Sequence, residues 1–383
     1  MKVKRNLLPL LRESYSQSNK IIILYGARQT GKTTLSNDFL ATLASPEGNR
    51  KLKVLNVNAD ESRYVDVLSS RDLNKLKLFV SGYDLLFIDE AQRIPDIGIN
   101  LKILHDNLPS LRLLVTGSSS LDLANKAKEP LTGRTSTFTL YPIALSELRA
   151  DFNPFEMQER LEQWMIFGLY PDILNQSSLG LKEKYLLELS DAYLYKDIIA
   201  LSQIRNSSKI RDLLQLLAFQ IGSEVSLNEL AKQLGMSQET VNNYIDLLEQ
   251  SFIVFRLGGF SRNLRKEISK RDKIYFWDCG VRNAIINNFS MLKMRNDRGA
   301  LWENFVIAER LKASAYHQRH VSSYFWRTYT GAELDYVEEK SGKLFGYEIK
   351  YKKTAEKAPK SWVENYGSDF KCITSDNFWE FVL

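Results

Sequence analysis

The chain of 383 residues is 44% hydrophobic and 26% charged, which excludes a disordered or fibrous protein and, at this length, leads us to expect two or three domains. Lys and Arg outnumber Asp and Glu by 52 to 46, and a net charge of +6 admits a polyanionic partner such as DNA without demanding one. Cys279 and Cys372 lie far apart and only three histidines are present, so no cluster has metal-ligand spacing and zinc is disfavoured.

The basic start Met1–Leu8 lacks the apolar run of a signal peptide, and no later stretch approaches the ~18 apolar residues of a membrane span. A cytoplasmic chain with reduced thiols and no membrane partner is the expectation.

In chain order, Ile21–Tyr25 reads as a buried strand, followed by a glycine-containing turn and a helical run over Lys32–Leu43. Further strands are predicted at Leu52–Val57, Leu85–Ile88 and Leu111–Thr116, with helical stretches between them, notably Pro95–Leu108. Strands alternating with helices argue for a parallel sheet covered on both faces.

Beyond Thr139–Tyr141 the pattern turns mostly helical, over Ala144–Arg149, Pro154–Phe167 and Leu181–Leu201, broken at Gly168-Leu-Tyr-Pro171. Ser226–Leu248 reads as helix, tight turn, helix, and Ile253–Phe260 with Lys273–Trp277 alternates like a two-stranded wing. From about Gly299 a helix leads to strands at Tyr324–Arg327, Glu333–Glu338 and Leu344–Tyr351 and to a basic stretch ending at Lys360, a further α/β unit.

Residues 26–33 are Gly-Ala-Arg-Gln-Thr-Gly-Lys-Thr, the full G-x-x-x-x-G-K-[ST] pattern between a strand and a helix. Backbone N–H groups of such a loop and the helix N-terminus wrap phosphates, and a side chain at Gly31 would intrude. The nucleotide contacts are therefore Gly26, Ala27, Arg28, Gln29, Thr30, Gly31, Lys32, Thr33 and Thr34. Lys32 neutralises the β and γ phosphates and Thr33 places its hydroxyl on Mg²⁺, while Thr34 either faces the α phosphate or packs locally.

Leu85-Leu-Phe-Ile-Asp89-Glu90 ends a buried strand in two carboxylates, Asp89 for the Mg²⁺ shell and Glu90 as general base toward the attacking water. The alternative for Asp89 is a helix cap. Leu113-Leu-Val-Thr-Gly-Ser-Ser-Ser120 ends another strand in small hydroxyls, of which Ser118 is the choice for sensing the γ-phosphate, unless the segment is a turn or N-cap before a helix at Leu121. Arg134, in Leu-Thr-Gly-Arg, is the candidate for stabilising transition-state charge in its own subunit or a neighbour's, with Arg28 and Arg93 as rivals and a solvated arginine as the plain alternative.

The segments Gly26–Thr34, Ile88-Asp-Glu-Ala-Gln-Arg93, Val115-Thr-Gly-Ser-Ser-Ser120 and Leu131-Thr-Gly-Arg134 together resemble a bacterial and archaeal AAA-like ATPase family that carries a C-terminal domain of unknown function. Gly168–Asp172, Tyr193–Ile198, Phe276–Gly280 and Gly299–Phe305 extend the resemblance over nearly the whole chain. It implies an ATPase of the additional-strand class, related to archaeal and STAND-type ATPases, then a winged helix, then a nuclease-like fold.

In the helix-turn-helix, Gly235 permits the turn, Ser237 can cap the second helix, and Leu227, Leu230, Leu234, Val241, Ile245 and Leu248 form the apolar face. Gln238, Asn242 and Asn243 have the chemistry to reach base edges, but Glu239, Asp246 and Glu249 share the helix and no Lys or Arg precedes Arg256. DNA contact and a packing or protein-interaction role both remain readings of this element.

In the last unit Asp335 is followed by Glu348-Ile-Lys350, and the period of two puts Glu348 and Lys350 on one strand face. Asp335 and Glu348 could hold Mg²⁺ beside Lys350, which resembles the PD-(D/E)XK nuclease core, with Glu303 matching the helix acid of many such enzymes. The alternative is a set of surface salt bridges.

The expected fold class is thus α/β: a P-loop NTPase domain over 1–142, a helical region over 143–205, a winged helix-turn-helix over 206–285 and a nuclease-like α/β domain over 286–383. ATP and Mg²⁺ are the expected cofactors, although no motif reads the base and ATP is not distinguished from GTP. An ATP-driven switch is the leading function. An ATP-gated DNA endonuclease and a nucleotide-dependent interaction module with a protein partner are the alternatives, and an oligomer is open to each.

Overall fold

A computed structural model describes residues 1–43, 52–118, 131–202, 207–261, 272–352, 357–367 and 369–383. They form two compact units: Arg5–Tyr141 with Gln250–Phe252, and Met1–Lys4 with Pro142–Glu249 and Ile253–Leu383.

In the first unit α1 (Leu7–Gln17) precedes β1 (Ile21–Tyr25), α2 (Lys32–Leu43), β2 (Val54–Asn58), α3 (Ser62–Leu68), α4 (Leu73–Phe79), β3 (Leu85–Asp89), α5 (Ile97–Asn107), β4 (Arg112–Gly117) and β5 (Thr135–Thr139). All pairings are parallel and the strand order is β2-β3-β4-β1-β5. Every residue of β1 is buried, as its unbroken apolar run requires of a central strand with both faces covered. Because the strands are parallel, their C-terminal ends share one edge of the sheet, the edge where ligands bind in open α/β folds.

The expected parallel sheet is present, with a fifth strand in addition. β5 reads Thr-Ser-Thr-Phe-Thr and is only partly buried, so an edge strand with no apolar run gave no periodic signal. The helix expected at Leu121 falls outside the described residues.

In the second unit α6 (Leu145–Leu148), α7 (Pro154–Phe167), α8 (Leu179–Ser202) and α9 (Ser207–Phe219) lead to the helix pair α10 (Leu227–Leu234) and α11 (Gln238–Gln250). Then come β6 (Val254–Gly259), β7 (Lys273–Phe276), α12 (Cys279–Ile285), α13 (Arg298–Tyr316), β8 (Ser322–Arg327), β9 (Glu333–Lys340), β10 (Lys343–Ile349), α14 (Lys360–Tyr366), β11 (Phe370–Ile373) and α15 (Trp379–Val382). The side chains of Tyr193–Ile198 on α8 lie outside the described residues.

The expected turn is present: Gly235 ends α10 in the left-handed region at φ 61°, and the Ser237 hydroxyl accepts the Thr240 N–H at 3.1 Å at the start of α11. Leu230, Leu234, Val241, Ile245 and Leu248 are buried, and Leu227 is partly so. The boundaries at 205 and 285 do not separate compact units. β6 pairs antiparallel with β7 up to Leu257↔Lys273 and then parallel with β8 at Gly258↔Tyr324, so one sheet of order β11-β10-β9-β8-β6-β7 runs through the wing and the last segment.

Gly168 shows why the chain breaks after α7. At φ 71° it lets the Asp278 carboxylate approach so closely that a Cβ there would lie 2.0 Å from Asp278 Oδ1. The carboxylate accepts the Leu169 N–H at 2.7 Å and the Val281 N–H at 3.0 Å, capping α12. Asn304 on α13 likewise accepts the Phe276 N–H at 2.7 Å and donates to the Phe276 carbonyl at 3.0 Å, finishing β7. These positions of the family resemblance are architectural.

Candidate functional site

The phosphate loop leaves β1 at the ligand-binding edge and opens α2 at Lys32. Gly26 follows β1 where a Cβ would sit 2.2 Å from the Leu140 carbonyl oxygen, and Gly31 has φ 93°, so side chains are resisted at the two positions where the motif demands glycine. Buried Thr30 donates to the Ala27 carbonyl at 2.8 Å, closing the loop on itself. Lys32 is 4% exposed, and its ammonium donates to the Gly26 and Ala27 carbonyls at 2.9 and 3.0 Å from within the loop. Thr33 and Thr34 are exposed, Ala27 is buried, and Gln29 takes φ 60°.

β3 ends beside this loop. The Thr33 hydroxyl donates to Asp89 Oδ2 at 2.7 Å, and the other carboxylate oxygen accepts the Thr116 hydroxyl of β4. Adjacent oxygens in an octahedral Mg²⁺ shell lie about 3 Å apart, so the Thr33–Asp89 oxygen pair suits that ion in both chemistry and spacing.

Glu90 sits just past the strand in the left-handed region, φ 56° and ψ 41°, and its N–H donates to Thr116 Oγ1 at 3.1 Å. Its carboxylate accepts the Gln92 amide, which also donates to the Ser118 hydroxyl at 2.9 Å, while the Ser118 N–H donates back to Gln92 at 3.3 Å. Ser118 and Glu90 are thus brought together through Gln92. Thr116 and Gln92 were not singled out in the sequence; Thr116 carried a signal, since it stands near the end of β4, two residues before Ser118.

Arg5 was also missed. Its guanidinium, 9% exposed, donates to the Thr30 carbonyl of the loop and the Tyr141 carbonyl, both at 2.7 Å. Nothing in the local sequence distinguishes it from the other basic residues near the start.

Arg134 lies at the opposite edge of the sheet from the phosphate loop. It directly precedes β5, its carbonyl accepts the Ile21 N–H at 2.9 Å, and Ile21 pairs with Thr135 at the N-terminal edge of the sheet. A strand rises about 3.3 Å per residue, so the five steps from Arg134 to Thr139 put the Arg134 backbone roughly 16 Å from the phosphate-loop edge of its own chain. Instead it makes a two-pronged pair with Asp106 at 2.8 and 3.0 Å, which with His105 holds the Asp106 carboxyl down at about 2. Arg93, a rival, pairs with Asp60 at 2.7 Å.

In the other unit, the structure brings Asp335, Glu348, Lys350 and Glu303 together. The Lys350 ammonium pairs with Glu348 and lies 3.8 Å from Asp335 Oδ2, which accepts the Ile349 N–H at 2.8 Å. An unanticipated residue joins them. Lys273 of β7, 2% exposed, places its ammonium 2.8 Å from Glu333, 3.3 Å from Glu303 and 3.9 Å from Asp335. Tyr275 donates its hydroxyl to Glu303. Burial and the Asp335 charge push the Glu303 carboxyl up to about 7 against the pull of Lys273, and burial also raises Asp335. Among the described residues no group of three or more acidic, His or Cys side chains is arranged to hold a metal.

On α11, Asn242 is engaged rather than free to read bases: it accepts from Arg256 at 3.2 Å and donates to Asp246 at 3.2 Å. Arg256 itself pairs with Asp246 and Glu249, each at 2.6 Å. No helix among the described residues is long and apolar enough to cross a membrane.

Residues 18–149 match a family described as an AAA domain, and residues 158–292 and 298–374 match two families described as domains of unknown function, DUF8612 and DUF4143. An uncharacterized protein of Methanocaldococcus jannaschii is 26% identical over 310 residues, 76% of this chain and 66% of its own length. The solved structure of AMPPCP-bound DnaA from Aquifex aeolicus is 17% identical over 63% of this chain and 86% of that one, with a TM-score of 0.28, too low to bear on activity. An uncharacterized protein of Mycobacterium tuberculosis is 32% identical over 337 residues, covering 86% of this chain and 70% of its own length. The chain therefore belongs to the family of that mycobacterial protein, and its N-terminal unit is a nucleotide-binding P-loop domain of the AAA type.

Proposed function

We propose that the chain binds ATP with Mg²⁺ on Gly26–Thr34, hydrolyses it, and uses turnover to drive a conformational change passed to the helix-turn-helix and the C-terminal sheet. The supporting observation is the convergence of Lys32, Thr33, Asp89 and Glu90 at one sheet edge, tied by the Thr33–Asp89 hydrogen bond. In this reading, loop N–H groups and the start of α2 take the phosphates, and Lys32 exchanges its carbonyl partners for phosphate oxygens. Thr33 and Asp89 would hold Mg²⁺, which would supply charge neutralisation on the phosphates. Glu90 takes a proton from the attacking water as its oxygen adds to the γ phosphorus, and the bridging oxygen leaves on ADP with its electron pair. Ser118 senses the γ-phosphate, and Arg134 acts only where an oligomer presents it to a neighbour's nucleotide.

Nucleotide binding and phosphate release by the full chain test this with ATP and GTP side by side. Lys32→Ala is expected to lose nucleotide binding, while Glu90→Gln binds ATP with turnover reduced by roughly 10²–10⁴-fold. Normal hydrolysis by both variants overturns the reading.

The commitment of Asn242 and Arg256 to acidic neighbours favours a protein partner over DNA, and so favours the interaction module as second reading. Nucleic-acid binding that falls steeply with salt would count against it.

A further inference from the structure

The nuclease-like resemblance calls for a divalent cation between Asp335 and Glu348, and the residues present do not fit one. We infer that the ammonium of Lys273 is the resident cation of the carboxylate cluster Glu303, Glu333 and Asp335, which makes the C-terminal unit a metal-independent module whose acidic centre is closed by its own strand β7.

A lysine ammonium has three donor hydrogens, and that of Lys273 faces three carboxylates, Glu333, Glu303 and Asp335, at 2.8, 3.3 and 3.9 Å. The carboxylates come from different places in the chain, Glu303 from α13 and the other two from β9, so the amine sits where separate elements converge. At 2% exposure it is taken out of water, a placement that persists only with compensating charge around it.

Both oxygens of Asp335 already face cationic or N–H groups of the chain itself. One oxygen accepts the Ile349 N–H and lies near Lys350, and the other faces Lys273. A divalent cation at Asp335 would have to share this carboxylate with the ammoniums of Lys273 and Lys350 and would be repelled by both.

Nor can Lys273 withdraw easily. Its backbone is paired with Leu257 on one side and bridged to Glu224 on the other, so the amine is delivered by a strand fixed on both flanks. Its ammonium also lies 5.4 Å from the centre of the Phe325 ring. The cluster thus clasps β7 onto α13 and β9.

This inference is independent of the ATPase reading, and its test uses nucleotide-free full-length protein. Mn²⁺ binding is titrated by electron paramagnetic resonance for wild type, Glu348→Gln, Lys273→Ala and the double variant Lys273→Ala/Asp335→Asn. Wild type and Glu348→Gln are expected to bind the same number of Mn²⁺ ions. Lys273→Ala, with its cation gone, is expected to gain one ion that the double variant loses. A wild-type Mn²⁺ site that Glu348→Gln abolishes overturns the inference, as does a folded Lys273→Ala that gains none. Should Lys273→Ala fail to fold, the comparison of wild type with Glu348→Gln decides alone.

Discussion

Thr33 donates its hydroxyl proton to Asp89 at 2.7 Å although 56 positions separate them. The pair joins the helix that follows β1 to the end of β3, two strands that are not neighbours in the sheet. Thr33→Val keeps the shape and removes the oxygen. In the proposed ATPase it is expected to raise the Mg²⁺ concentration needed for half-maximal turnover at least tenfold while Lys32-dependent nucleotide binding survives. An unchanged Mg²⁺ titration would remove Thr33 from the ion's shell.

Gln92 holds Glu90 and Ser118 with one side-chain amide. Its removal leaves the Glu90 carboxylate, the proposed general base, without a fixed direction but does not touch the phosphate loop. Gln92→Ala is therefore expected to lower kcat by about tenfold or more with KM little changed, the pattern of an interaction made in the transition state. A rise in KM at constant kcat would place Gln92 in ground-state binding instead.

Gly168 lies at φ 71° and ψ −167°, a backbone region that side chains avoid, and its missing Cβ leaves room for the buried Asp278 carboxylate. Gly168→Ala combines strain with displacement of a helix cap, so a loss of about 2–4 kcal/mol is expected in denaturant unfolding of the full chain. A loss below about 0.5 kcal/mol would mean that Asp278 moves aside freely.

The phosphate loop and the Asp89–Glu90 strand were legible because their chemistry is written in contiguous residues whose spacing is set by the phosphates and by one strand end. β5 was not, since Thr135–Thr139 is a half-exposed edge strand held by backbone pairing to β1 rather than by apolar periodicity. The place of Arg134 was hidden for a related reason: its position after a polar loop said nothing of which end of β5 it occupied. Lys273 was invisible as a site residue because its partners at 303, 333 and 335 lie on α13 and β9, far along the chain, and only the folded unit brings them to it.

Arg134 pairs with Asp106 at the edge of the sheet away from the phosphate loop. Turnover by dilute, monomeric protein is expected to be unchanged in Arg134→Ala. Rate as a function of protein concentration checks for a role across subunits: a wild-type rate per chain that climbs with concentration, and a variant rate that stays flat, would assign Arg134 to a neighbour's site. Two superimposable flat profiles would leave it as a solvent-screened surface ion pair.

Glu303 makes the second unit's stability depend on pH in an unusual direction. Its carboxyl is raised from 4.5 to about 7, chiefly by burial and then by Asp335. Below about pH 4.5 the group is protonated whether the chain is folded or not, and its contribution to stability is fully present. Between there and about 7 only the folded chain keeps the proton, so stability is progressively lost as pH rises through that window, by up to about 3 kcal/mol for this one group. Glu303→Gln resembles the protonated form and removes the titration. The wild-type denaturant midpoint is expected to fall between pH 5.5 and 8 more steeply than that of Glu303→Gln. Parallel profiles would show that the fall comes from other buried carboxyls, such as Asp278 and Glu309, whose pKa values burial also raises.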